Sequence, residues 1–141
     1  MLNVVKALLP QCTRMCIALN NYEKIPDELK NNNKIIAILT GKNSKIEDLG
    51  NLNKMYWLGD FPGYYATVDD DLNYFDGYIE KLKSSLKKYN NNAICSYHGL
   101  CYNIVNGQID ETTKTILFYN KIIKNDTVCL RPGMGTAMMN P

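Results

Sequence analysis

A chain of 141 residues with 45% hydrophobic and 21% charged side chains has the composition of an ordinary globular protein, which excludes an intrinsically disordered or fibrous chain and fits a single domain over 1–141. The formal net charge of +2 is spread along the sequence and not gathered into a basic stripe, so nothing points to nucleic acid. The longest apolar runs, such as IIAIL at 35–39, are too short to cross a bilayer, and the five cysteines are an odd number at irregular spacing, as expected of reduced thiols.

The first residues, MLNVVKALLPQ, place Leu2, Val5, Leu8 and Leu9 on one helical face, and Pro10 marks the end of that helix. They lack the basic start, long apolar run and small-residue cleavage site of a signal peptide, which together with the reduced cysteines predicts a cytoplasmic protein. The apolar run at 15–19 reads as a buried strand, Pro26 with DELK as one helical turn, and KIIAILT at 34–40 as a second strand closed by Gly41. Ile46, Leu49, Leu52 and Tyr56 predict a helix over 46–58. Gly63 then opens the strand YYATV at 64–68, which runs into Asp69, Asp70 and Asp71.

Leu72, Phe75, Ile79, Leu82 and Leu86 predict a helix over 72–89, with Lys81, Lys83, Lys87 and Lys88 toward its negative end. A strand is expected over 93–100. Asn106-Gly107 suits a hairpin turn, 115–123 fits either a helix or a strand, and 128–130 reads as a last short strand running into RPGMGTAMM. The Asn triplets at 31–33 and 90–92 are loops. Strands alternating with helices predict an α/β fold: three layers, a mostly parallel sheet and helices on both faces.

Three adjacent carboxylates repel one another unless a cation or water screens them. Strand alternation would point Asp69 and Asp71 to one side, offering hard oxygen ligands to Mg²⁺ or Mn²⁺ at the carboxyl end of a strand, where open α/β sheets bind ligands. The competing reading makes the acids caps at the positive end of the 72–89 helix.

The runs LNNYEKIP, DLGNLNKMYW, GYYATVDDDLNY and ICSYHGL, with VCLRPGMGTAMM more loosely, resemble the nucleotide-sugar-binding half of a GT-A glycosyltransferase of the family 2-like group, and DDD fits that fold's DXD motif. The resemblance implies a hexosyl transfer from a UDP- or GDP-linked sugar to a glycan or other hydroxyl acceptor, dependent on Mn²⁺ or Mg²⁺. It implies that Asp69 contacts the donor or the metal, that Asp71 ligates the metal beneath the diphosphate, and that Asp70 is the middle member of the motif. Asp48 and Lys54 match positions that face the nucleotide, although Lys54 also reads as a solvated lysine. His98, the only histidine, either faces donor or acceptor as a catalytic group or is a hydrogen-bonded structural residue. Proteins of this group carry one more strand before the first helix and acceptor-binding elements after GMGTAMM. The resemblance therefore implies a domain shortened at both ends, without a counterpart for the general base, and a homodimer would supply the missing sheet edge. A non-catalytic binding or assembly module is the alternative.

Other constellations carry less. CSYHGLC at 95–101 offers Cys-x-x-His-x-x-Cys to zinc, but strand alternation puts His98 opposite Cys95 and Cys101 and no fourth ligand is evident. GMGT at 133–136 lacks the lysine of a phosphate loop and reads as a tight turn. Tyr64, Tyr65, Tyr74 and Tyr78 cluster around the acids, for stacking on a base or sugar or for core packing.

Overall fold

The computed structural model describes residues 1–118 and 125–141. The chain divides into two compact units, one made of Met1–Gly63, Asp70–Lys81 and Pro141, the other of Tyr64–Asp69 and Leu82–Asn140.

In the first unit, α1 (Leu2–Leu8) ends where expected, and Pro10 sits in a single 3-10 turn, Leu9–Gln11. β1 (Met15–Asn20) and β2 (Ile35–Thr40) pair in parallel from Met15↔Ile35 to Asn20↔Thr40, with the short helix α2 (Asp27–Lys30) between them in the chain. Leu8, Leu19 and Leu29 are each 2% exposed and centre this unit's core. Gln11 ties down the 75–79 segment: its side-chain amide donates to the Phe75 carbonyl at 3.0 Å, and its oxygen accepts from the Ile79 N–H at 3.2 Å.

The expected 46–58 helix is replaced by irregular chain and a 3-10 helix, Gly50–Met55. Gly50 has φ +57°, outside the right-handed helical region, so the apolar spacing around it cannot propagate an α-helix. The helix expected at 72–89 is shorter for the same reason. α3 spans Tyr78–Lys88 because Gly77, at φ +82°, interrupts any earlier start. Its buried stripe is Tyr78, Leu82 and Leu86. It ends as the Asn triplet suggests: Asn90 and Asn91 take left-handed φ of 52° and 60°, and the Asn91 N–H donates back to the Leu86 carbonyl at 3.0 Å.

The second unit holds two antiparallel three-stranded sheets. In one, β8 (Thr136–Met139) lies between β3 (Tyr65–Val68) and β4 (Cys95–Ser96), with Tyr65↔Met139 and Cys95↔Met138 among the paired residues. All four β8 residues are buried. In the other, β5 (Gly99–Val105) lies between β6 (Gln108–Leu117) and β7 (Arg131–Pro132). The hairpin expected at Asn106-Gly107 is present. Both residues have positive φ, 52° and 77°, as a two-residue hairpin turn requires, and Val105 pairs with Gln108.

The expectation of a three-layer, mostly parallel α/β fold is overturned: among the described residues only β1 and β2 pair in parallel, and every other pairing is antiparallel. A parallel neighbour needs a crossover of a dozen or more residues, usually helical. Here only Tyr97 and His98 separate β4 from β5, and a two-residue turn joins β5 to β6, so neither connection can cross over. The expected 93–100 strand is accordingly split at that bend, and residues 128–130 precede β7 without forming a strand of their own. Residues 115–117 are strand, whereas 119–123 of the ambiguous 115–123 segment lie outside the described residues. No helix of the described residues is long and apolar enough to cross a membrane.

Candidate functional site

The residues singled out by the sequence fall into three places. Asp48 is held within the first unit by its own neighbours. Its Oδ2 accepts from the Asn20 side-chain amide at 2.6 Å, and its Oδ1 accepts from the Gly50 N–H and the Asn53 amide, both at 2.8 Å. Both carboxylate oxygens thus help hold the turn that follows β2 against the end of β1. Lys54 is half-buried on the same 3-10 segment. Asn53, 7% exposed, also accepts the Leu49 N–H at 3.3 Å. Removing its amide leaves partners without replacements, so Asn53→Ala is expected to lower stability by about 1–3 kcal/mol, read by urea unfolding.

The three aspartates separate where β3 ends. Asp69 directly follows Val68 and belongs to the second unit, whereas Asp70 and Asp71 begin the next segment of the first. The chain bends at Asp70 and Asp71, so strand alternation does not continue through the motif. Asp70 is exposed, with its carboxylate 3.8 Å from the Met1 amine, and Asp71 is exposed as well. The capping reading fails, because α3 begins only at Tyr78, beyond Gly77, and the acid in its first turn is Glu80.

Asp69 is the half-buried member of the three, and its carboxylate lies against the backbone of Gly135. A Cβ at Gly135 would come within 1.7 Å of Asp69 Oδ2. On the same short turn, a Cβ at Gly133 would come within 1.8 Å of His98 Nε2. Two glycines one residue apart therefore make room for a carboxylate and an imidazole. The turn itself closes through the Thr136 N–H donating to the Gly133 carbonyl at 3.1 Å, as GMGT suggests.

His98 occupies the bend between β4 and β5, where the Gly133 N–H donates to its carbonyl at 2.7 Å. The Ser96 hydroxyl lies 2.8 Å from the His98 carbonyl, 3.0 Å from the Gly133 carbonyl and 2.9 Å from Thr136 Oγ1, which in turn lies 2.7 Å from His98 Nδ1. Either hydroxyl can be the donor between Ser96 and Thr136, so the network is compatible with either neutral tautomer of His98. His98 Nε2 is the ring atom that lies above Gly133.

Ser96 and Thr136 were not singled out in the sequence. Their signal was the pair of glycines beside Thr136, legible only once β4 and β8 are known to be neighbours. The arrangement also corrects the expectation that His98 and Cys95 sit on opposite faces of one continuous strand, since the strand is broken at Tyr97 and His98.

A divalent cation suits the donor chemistry of the motif. The acids supply hard oxygens, and Mg²⁺ is typically held by one or two carboxylates together with substrate phosphates and water, without a cage of protein ligands. Among the described residues no three His, Cys, Asp or Glu side chains gather as such a cage. Asp69 would be the anchoring ligand.

No protein-family model matches the chain, and comparison with curated proteins gives no match.

Proposed function

We propose that the chain transfers a glycosyl group from a nucleotide-diphosphate donor to a hydroxyl acceptor, with the turn of Gly133 and Gly135 as its reaction centre. The observation that carries the reading is the seating of one carboxylate, Asp69, and one oriented imidazole, His98, against the same short turn. The reading rests on these local residues and on the DDD run, and not on a GT-A architecture.

In this reading Asp69 would hold Mn²⁺ or Mg²⁺, and the cation would supply charge stabilisation for the leaving diphosphate. His98 Nε2 accepts the proton of the attacking hydroxyl, a contribution of typically about 10²–10⁴-fold. Thr136 fixes the ring through Nδ1 and Ser96 fixes Thr136, so the acceptor nitrogen does not have to be oriented at the moment of reaction.

Calorimetric titration of UDP and GDP, with and without Mn²⁺, tests the reading. Manganese-dependent binding is expected in the wild type and in His98→Asn, whose amide can still hydrogen-bond Thr136, and a large loss is expected in Asp69→Asn. Transfer or donor hydrolysis should disappear in His98→Asn. Equal binding by the wild type and Asp69→Asn, or no nucleotide binding under any condition, would sink the proposal.

A further inference from the structure

We infer that Cys101 and Cys129 are a disulfide-forming pair, a modification site that joins β5 to the segment leading into the Gly133–Gly135 turn. Cys101 lies on β5, and Cys129 lies just before β7, which pairs with β5 through Gly99↔Pro132 and Leu100↔Arg131. The Leu130 N–H donates to the Leu100 carbonyl at 3.1 Å, so the backbone beside both cysteines is already tied together. Gly99 permits this approach: a Cβ there would meet the Arg131 carbonyl oxygen at 2.8 Å and both Cβ and Sγ of Cys129 at 3.3 Å. The two Sγ atoms are 2.6 Å apart. That is only slightly beyond the bond length of about 2.05 Å in a disulfide, so closing the bond needs little backbone movement.

The co-reactant is a small-molecule disulfide such as oxidised glutathione. The thiolate of one cysteine attacks a glutathione sulfur, breaking that S–S bond, forming a mixed disulfide and releasing one glutathione thiolate. The second cysteine, after losing its proton, attacks the protein sulfur of the mixed disulfide, forms the Cys101–Cys129 bond and releases the second glutathione. Two protein thiols are oxidised, one glutathione disulfide is reduced to two thiols, and the two protons pass to them. Burial and the hydrogen bond to Cys101 push the Cys129 thiol up to about 11. Closure through the Cys129 thiolate should therefore accelerate as the pH is raised above neutrality.

The test is oxidation of the folded, full chain by oxidised glutathione, followed by thiol titration and peptide mapping. Of the five thiols, all should titrate before oxidation, and afterwards those of Cys101 and Cys129 alone should be missing, found in one cross-linked peptide pair. Cys95→Ser should form the same bond, whereas Cys101→Ser and Cys129→Ser, checked for folding by circular dichroism, should not. Should a serine variant fail to fold, the cross-link map of the wild type still decides. Persistence of all thiols, a stable glutathione adduct without the intramolecular bond, or a different pairing would each overturn the inference.

Discussion

Met138→Ala is expected to lose about 2–5 kcal/mol of stability. Met138 is 1% exposed and lies in β8, where it pairs with Ala66 on one side and Cys95 on the other. Removing its side chain deletes buried apolar surface and leaves a cavity between strands held on both edges, which cannot easily collapse. Leu52→Ala, at a position 65% exposed, should stay within about 0.5 kcal/mol of wild type. Urea unfolding of both variants decides the matter. Equal stabilities would mean that β8 is not the middle strand of its sheet.

Gly135→Ala is expected to weaken manganese-dependent nucleotide binding by about 10–100-fold, the range typical of disturbing the support of a metal ligand. The added methyl would occupy the place of the Asp69 carboxylate, which must swing away. Gly135 is not among the positive-φ glycines, so alanine meets no backbone obstacle and the variant should fold. Gly133→Ala makes the matching experiment on the other group: it displaces the His98 ring and breaks its contact with Thr136. Binding should survive there while transfer falls. The two glycine variants thus separate holding the donor from moving the proton without changing either functional side chain. Wild-type nucleotide affinity in Gly135→Ala would remove Asp69 from the site.

Local features were legible in the sequence. Pro10 and the Asn triplet ended the helices they punctuate, KIIAILT made a strand, and Asn106-Gly107 turned a hairpin, because each depends on backbone preferences within a few residues. Helical periodicity misled where a glycine with positive φ interrupted it, at Gly50 and Gly77, since apolar spacing does not register backbone handedness. The larger error concerned the sheet. TAMM at 136–139 was not legible as a strand, and its place as a central strand depends on β3 and β4, far away in the chain. Without that strand, the alternation of strands and helices suggested a parallel sheet where the pairing is antiparallel. The site shared this fate: Asp69 and His98 were visible as residue types, but Gly135, Gly133 and Thr136 acquire meaning only when β8 brings them alongside. The bonds that Asp48 makes with Asn20, Gly50 and Asn53 were not legible either, because the one with Asn20 depends on β1 lying beside β2.

The most direct test of the central claim is paramagnetic broadening by Mn²⁺ in two-dimensional amide NMR spectra of the protein with UDP or GDP present. The account predicts that substoichiometric Mn²⁺ first erases the signals of Asp69 and Gly135 and their immediate neighbours, and that Asp69→Asn abolishes the effect. Broadening centred on other residues, or unchanged broadening in Asp69→Asn, would contradict it.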